Sequence, residues 1–163
     1  MKKMILSLVM ALTTMSAFAQ FEAGKTYVAA SMSGLGLSYS KQAKVNFNMQ
    51  ARAGHLLADN WMLLGIFGYE YQHWAKSHEL EIGGGGRYYI IQNGLYLGLS
   101  AAYAFTKADE EKTHNCYITP ELGYAFFLGE HVTIEPAIYY RMSINDFADA
   151  STVGLKIGVG YYF

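Results

Sequence analysis

The chain has 163 residues, with 12 Lys or Arg against 13 Asp or Glu, 14 Tyr, 9 Phe, 2 Trp, 17 Gly, 2 Pro and a single Cys. An apolar content of 52% excludes a disordered chain, and the nearly cancelling charges exclude a strongly basic nucleic-acid binder. Cys116, standing alone, excludes an internal disulfide framework and any cysteine-based zinc site.

At the N-terminus Lys2 and Lys3 precede an apolar stretch over residues 4–12 and the small-residue run Ser16-Ala17-Phe18-Ala19. That order is a positive region, a short apolar region and an Ala-x-Ala cleavage site, so residues 1–19 read as a signal peptide cut before Gln20. Nine residues fall far short of the ~20 that a membrane-spanning helix needs. No Cys follows the cut, which argues against a lipoprotein, and residues 20–163 carry 10 basic and 13 acidic side chains, a formal charge of −3. Residues 95–105 are the longest nearly apolar run, interrupted by Gly98 and Ser100, so any membrane crossing is made by strands.

A period of two then recurs along the chain. A first, less regular strand is predicted near 25–39. Residues 45–54 alternate strictly, with Asn46, Asn48, Gln50 and Arg52 on one face and apolar residues on the other. Further strands are predicted over 61–74, 79–91, 95–106, 116–127, 132–142 and 152–163, which makes eight. The connections at Ala58-Asp59-Asn60, Gln92-Asn93-Gly94 and Gly129-Glu130-His131 are tight. Those near 40–44, 75–78, 107–115 and 143–151 are more charged, and two are longer. Tight turns at one end and longer loops at the other describe an all-β, eight-stranded, antiparallel up-and-down transmembrane barrel occupying residues 20–163.

The apolar faces of these strands hold no charge, whereas the opposite faces carry Arg52, Glu70, Glu79, Glu81, Arg87, Glu121, Glu135, Arg141 and Lys156. A soluble sandwich shows the same alternation, so other features must point to lipid. The secretion signal is one, and the aromatic residues near strand ends are another. Tyr39, Tyr69, Tyr71, Trp74, Tyr103, Phe105 and Tyr140 fall toward the loop end, and Trp61, Tyr88, Phe126, Tyr161 and Phe163 toward the turn end, as two interfacial girdles.

The closing strand, with Val153, Leu155, Ile157, Val159, Tyr161 and Phe163 at alternate positions, is similar to the C-terminal signal read by the outer-membrane assembly machinery. With Gly86-Arg87-Tyr88-Tyr89 and Glu121-Leu122-Gly123-Tyr124, it resembles the small outer-membrane β-barrel family of Gram-negative bacteria, of the OmpA and OmpX type. The resemblance spans essentially residues 20–163. It implies periplasmic termini, outer-membrane lipids as surroundings and a structural, adhesive or accessory role, with lipid-modifying enzymes a minority. The loops are short for a large adhesive platform. Val159, Tyr161 and Phe163 would be the assembly signal.

An eight-stranded barrel is filled by side chains, so the nine inward charges are expected to form an ion-paired network in a polar, plugged lumen. Glu121 and Lys156 fall at similar heights, Arg141 and Glu79 near the loop end, and Arg87 near the turn end. A narrow porin is the conducting alternative. The run Gly83-Gly84-Gly85-Gly86 lacks the Lys-Ser/Thr pair and helix of a phosphate loop. Gly84 and Gly86 face outward, opposite Tyr69 and Phe67 by ladder counting, and form a candidate groove for a lipid chain or partner barrel.

His73, Ser77, His78 and Glu79 gather at one loop and Asp109, Glu110, Glu111 and His114 at another. These are ingredients of acyl transfer at the outer leaflet, but the local motifs of such enzymes are absent, and neither loop has metal-ligand spacing. The reading is therefore a barrel without catalytic centre, metal or cofactor, accessory to the cell envelope and open to association with another envelope protein. Cys116 is an apolar filler at the loop-end interface, and Pro120 and Pro136, outward on their strands, predict bulges or bends.

Overall fold

The computed structural model describes residues 21–33, 47–72, 77–90, 94–108, 111–145 and 151–163. The strands are β1 (Thr26–Ser33), β2 (Phe47–Ala58), β3 (Trp61–Gln72), β4 (Ser77–Tyr89), β5 (Leu95–Ala108), β6 (Glu111–Tyr124), β7 (Phe126–Phe127), β8 (Val132–Ser143) and β9 (Thr152–Tyr162). Ala125 interrupts a single stave whose two parts are β6 and β7, both paired with β8. Each stave pairs antiparallel with its sequence neighbour, and β1 pairs with β9 from Tyr27↔Tyr162 to Ser33↔Lys156. The sheet therefore closes as an eight-stranded barrel and leaves no edge. The proposed signal segment, Tyr39 and Trp74 lie outside the described residues.

Alternation places the two faces. Along β3, Trp61, Leu63, Phe67 and Tyr69 are exposed, while Met62, Leu64, Ile66 and Glu70 are buried. The same split holds around the barrel: Leu97, Leu99, Ile138, Leu155, Ile157 and Val159 are exposed, while Arg52, Arg87, Glu121 and Glu135 are buried. A soluble protein does not display a continuous apolar girth of this extent; lipid is the solvent that matches it. On β5 the outward positions from Leu95 to Phe105 are all apolar. At ~3.3 Å per residue and a tilt of ~40°, that stretch rises roughly 25 Å, the height of a lipid-facing band. Turn-end rings pair as Trp61 with Tyr88 at 4.8 Å, Tyr124 with Phe126 at 4.3 Å and Tyr161 with Phe163 at 4.8 Å.

Three features depart from the sequence-based expectations. The β5–β6 ladder runs to Ala108↔Glu111, so the connection predicted over 107–115 shrinks to residues 109–110. Cross-strand pairing there continues as far as the chain can turn. The β3–β4 ladder closes with Gln72↔Ser77, placing its turn two residues before the predicted one. Finally, Pro120 and Pro136 produce no register shift. The β6–β8 pairing instead skips from Ile118↔Met142 to Glu121↔Tyr139, and from Gly123↔Ala137 to the β7 pair Phe126↔Ile134. Each gap contains one proline, which has no N–H to give to the ladder.

Candidate functional site: the barrel interior

Side chains fill the interior in three tiers. At the turn end, residues just before β1 fold into the mouth. Phe21 is fully buried and stacks on Tyr89 with ring centroids 3.7 Å apart, with Phe127 and Tyr162 edge-on at 5.6 and 5.8 Å. The β2–β3 turn holds this segment: Asn60 N–H donates to the Phe21 carbonyl at 2.8 Å and Ala23 N–H to Asp59 Oδ1 at 2.9 Å. Asn60 adopts φ 67°, a left-handed conformation that asparagine tolerates in a tight turn. Tyr27, Leu56, Met62 and Tyr96 complete an apolar and aromatic floor.

Above the floor, Arg87 is almost fully buried. It donates to Glu135 Oε2 at 2.9 Å and to Tyr89 Oη at 3.1 Å, and its guanidinium lies 3.8 Å over the Tyr96 ring. Glu135 also accepts from Tyr27 Oη at 2.6 Å and from Thr133 Oγ1 at 2.9 Å. The hub of this middle tier is Glu121, which receives a bidentate pair from Arg52 at 2.8 and 3.0 Å, Arg87 at 3.3 Å and an ion pair from Lys156. Gly98, opposite Glu121 on β5, makes room for it: a Cβ there would lie 2.5 Å from Glu121 Cγ. A small cavity of about 10 Å³ remains, lined in part by Arg52, Arg87, Tyr96, Glu135 and Lys156. That volume holds one water at most.

The upper tier inverts the charge balance. Arg141 faces three carboxylates, Glu81 at 2.9 Å, Glu70 at 3.8 Å and Glu79 in a direct ion pair, and stacks 3.6 Å over the Tyr117 ring. Thr106 Oγ1 donates to Glu79 at 3.0 Å. Gln50 links the tiers, accepting from Arg52 Nε at 2.8 Å and donating to Glu81 Oε1 at 3.3 Å. A continuous hydrogen-bonded path thus runs from Glu135 through Arg87, Glu121, Arg52, Gln50, Glu81 and Arg141 to Glu79. Buried charges of this kind are tolerated because nearly every donor and acceptor finds a partner.

The structure brings all nine charged residues named from the sequence into this interior. The expectation of a polar lumen needs correction at the turn end, where Phe21, Tyr27, Tyr89, Tyr96 and Tyr162 make an aromatic floor. The interior expected from the sequence names only charged side chains and none of these rings. Parity carries the missing signal, since Tyr89 stands two residues from inward Arg87 on one strand.

The glycine run also needs correction. Gly84 pairs with Gly65 and Ala101, and Gly86 with Leu63 and Leu99, so Tyr69 and Phe67 do not cover them. Those rings stand beside Leu80 and Ile82, because the hairpin turns two residues earlier than assumed. Gly83 and Gly85 face inward where β4 closes on β5; a Cβ would lie 2.6 Å from Ala102 Cβ at the first and 2.7 Å from Ser100 Cα at the second.

Among the described residues, those with the ingredients of acyl transfer are not brought together. His78 is outward and shares a 2.7 Å hydrogen bond with Tyr69, while Glu79 points inward to Arg141. His114 is likewise outward and bonded to Tyr103 Oη at 2.7 Å. His73, Asp109 and Glu110 lie outside the described residues, and the side chains of Ser77 and Glu111 are not described. Cys116 is half-buried on the outward face, opposite Tyr103. Val159, Tyr161 and Phe163 point outward at the turn end.

No family model and no curated relative matches the chain. Solved structures do. The N-terminal β-barrel domain of Pseudomonas aeruginosa OprF aligns with a TM-score of 0.64 at 13% identity, over 86% of this chain and 98% of that one. Neisserial surface protein A aligns with a TM-score of 0.65 at 14% identity, over 85% and 96%. Ail of Yersinia pestis, in a phospholipid nanodisc, aligns with a TM-score of 0.58 at 13% identity, over 86% and 99%. At such identities the likeness is one of fold, and the fold is that of the small eight-stranded outer-membrane β-barrels of the OmpA and OmpX type.

Proposed function

We propose that this chain is an integral outer-membrane protein whose barrel is plugged by its own side chains and serves a structural or accessory role in the cell envelope. The observation that carries this reading is the filled interior. A path of paired charges runs from Glu135 to Glu79 above an aromatic floor sealed by Phe21, and the cavity between them is about 10 Å³. Aqueous porins use roughly 16–18 strands to leave a channel, whereas eight leave room only for side chains. Planar-bilayer recording of the purified protein tests the plug. No stable single-channel steps are expected; large, stable steps would overturn it in favour of a narrow porin.

The outer-membrane placement draws support from the lipid-matched girth, the fold and the signal-like residues 1–19. In this reading both termini are periplasmic, and Val159, Tyr161 and Phe163 present the assembly signal. Deletion of Phe163 should then lower the amount of folded barrel in the outer membrane, with unassembled chain accumulating in the periplasm. An accessory barrel should also retain its envelope partner in a gentle-detergent pull-down. Substitution of Gly84 and Gly86 by Leu tests whether the shallow surface around them, formed with Gly65 and Ala101, contributes to that contact.

A further inference from the structure

The cavity of the middle tier differs from the rest of the interior in its supply of cations and donors. Arg52, Arg87 and Lys156 line it, together with Ser31 and Glu135. The three basic side chains are 5%, 1% and 8% exposed, so all are withdrawn from water. They share two carboxylates, Glu121 and Glu135, and the tier therefore keeps one positive charge in excess. The upper tier has the opposite balance, with Glu70, Glu79 and Glu81 facing Arg141, but its side chains are 10–17% exposed and only the neutral Gln50 links it to Arg52. Solvent at the loop-end mouth screens those charges, and screening is weaker around the buried middle tier.

Donors are in excess as well. A guanidinium carries five N–H groups and an ammonium three, and neither can accept a hydrogen bond. Arg87 Nε is buried without a hydrogen-bond partner among the described residues. Lys156 reaches one described acceptor, Glu121, and otherwise lies 5.6 Å from the centre of the Tyr139 ring. The Ser31 hydroxyl has one described hydrogen bond, a long one of 3.5 Å to the Gln50 carbonyl. Glu135 has no oxygen to spare, because Oε2 receives Tyr27 and Arg87 while Oε1 receives Thr133 and Tyr162. An unpaired buried donor and an unbalanced buried charge are both costly. One class of ligand answers both: an anion that accepts hydrogen bonds and donates none.

We propose that this cavity binds a single halide ion, chloride in ordinary media, held between Lys156, Arg87 and the Ser31 hydroxyl. At about 10 Å³ the cavity admits one particle of roughly water size, so phosphate, sulfate and carboxylates are excluded by volume. Water fits the same space, yet it brings two donors to a site already rich in them. The wall between β1 and β9 is thin here because Gly158 has no side chain; a Cβ there would lie 3.3 Å from Ser31 Cβ. The ion neutralises the middle tier and completes the plug, so the assignment rests on the reading of the lumen as filled and non-conducting.

The test is X-ray diffraction at the bromine absorption edge from crystals of the full barrel grown in sodium bromide, for wild type and for Lys156→Met. Loss of Lys156 leaves Arg52 and Arg87 against Glu121 and Glu135, a balanced set. An anomalous peak among Lys156, Arg87 and Ser31 is expected in wild type, and none in Lys156→Met. Density without anomalous signal in wild type would mean water and overturn the proposal, as would an undiminished peak in Lys156→Met. The solution arm is urea titration in lipid vesicles at equal ionic strength, with chloride compared against gluconate, an anion too large to enter. For a dissociation constant of about 30 mM, about 0.3 M chloride multiplies the folded-to-unfolded ratio roughly elevenfold, and at an ordinary urea slope the wild-type midpoint rises by about 0.7 M. Lys156→Met, and Gly158→Ala with its added methyl group in the cavity wall, should lose this rise while still giving a heat-modifiable folded band. Equal wild-type midpoints in the two salts, or the full rise in either folded variant, would also overturn the proposal. A conducting lumen would show single-channel steps in planar bilayers, whereas failure of the site alone leaves a silent barrel indifferent to chloride.

Discussion

Glu121 offers the sharpest test of how the interior is held. Its carboxylate is about 3% exposed and serves Arg52, Arg87 and Lys156 at once. In Glu121→Ala, Arg87 keeps Glu135 at 2.9 Å and Arg52 keeps Gln50 at 2.8 Å, but Lys156 is left with the face of the Tyr139 ring at 5.6 Å. Three cations then share a buried volume with one carboxylate. Removing one partner of a buried ion pair destabilises by about 3–5 kcal/mol, and unit charges ~4 Å apart repel by about 4 kcal/mol at an effective dielectric of 20. We take about 4 kcal/mol. Against a typical stability of roughly 5–15 kcal/mol, the variant still folds, and with a urea slope near 2 kcal/mol/M its midpoint falls by roughly 2 M. The assay is equilibrium urea titration in lipid vesicles, followed by tryptophan fluorescence and by the gel shift of the folded band. The companion R52M/E121L/K156M, which replaces the ions with apolar groups of similar size, should recover most of the loss, because the penalty comes from stranded charge rather than lost volume. A midpoint for Glu121→Ala within about 0.5 M of wild type would refute the hub, at a resolution such titrations reach.

Three further outcomes follow from the packing. Phe21→Ala should cost about 3–5 kcal/mol in the same titration, since it removes a fully buried ring stacked on Tyr89 and leaves a cavity in the floor; a change below ~1 kcal/mol would mean that Phe21 does not seal the mouth. Gly83→Ala should destabilise by about 1–3 kcal/mol through its collision with Ala102, whereas Gly86→Ala, whose Cβ would lie 3.7 Å from the Met62 carbonyl, should be nearly neutral; equal effects would contradict the inward and outward assignment. Amide exchange along the β6–β8 seam should be fastest at the two gaps containing Pro120 and Pro136, and faster there than along the unbroken β4–β5 ladder. Uniform protection across both seams would rule out the interrupted ladder.

How far the sequence reaches can be judged from particular residues. Arg52, Glu121, Arg141 and Lys156 were legible as interior because facing in a strand is a local property: each residue's parity relative to its apolar neighbours decides it. Eight strands, their approximate limits and the contrast between the two faces follow from the same local rule. Pairing does not. Gly84 was placed on its correct outward face yet given the wrong neighbours, because a turn set two residues too late preserves parity while exchanging every cross-strand contact. The same dependence on where a hairpin turns kept Lys107 and Lys112 in a supposed loop, when backbone pairing places both in the β5–β6 ladder. Closure of the sheet alone decided that Glu121 meets Arg52 from β2, Arg87 from β4 and Lys156 from β9 at one point, and that Phe21 fills the mouth beneath them. These contacts join residues distant in the chain, and no local pattern encodes them.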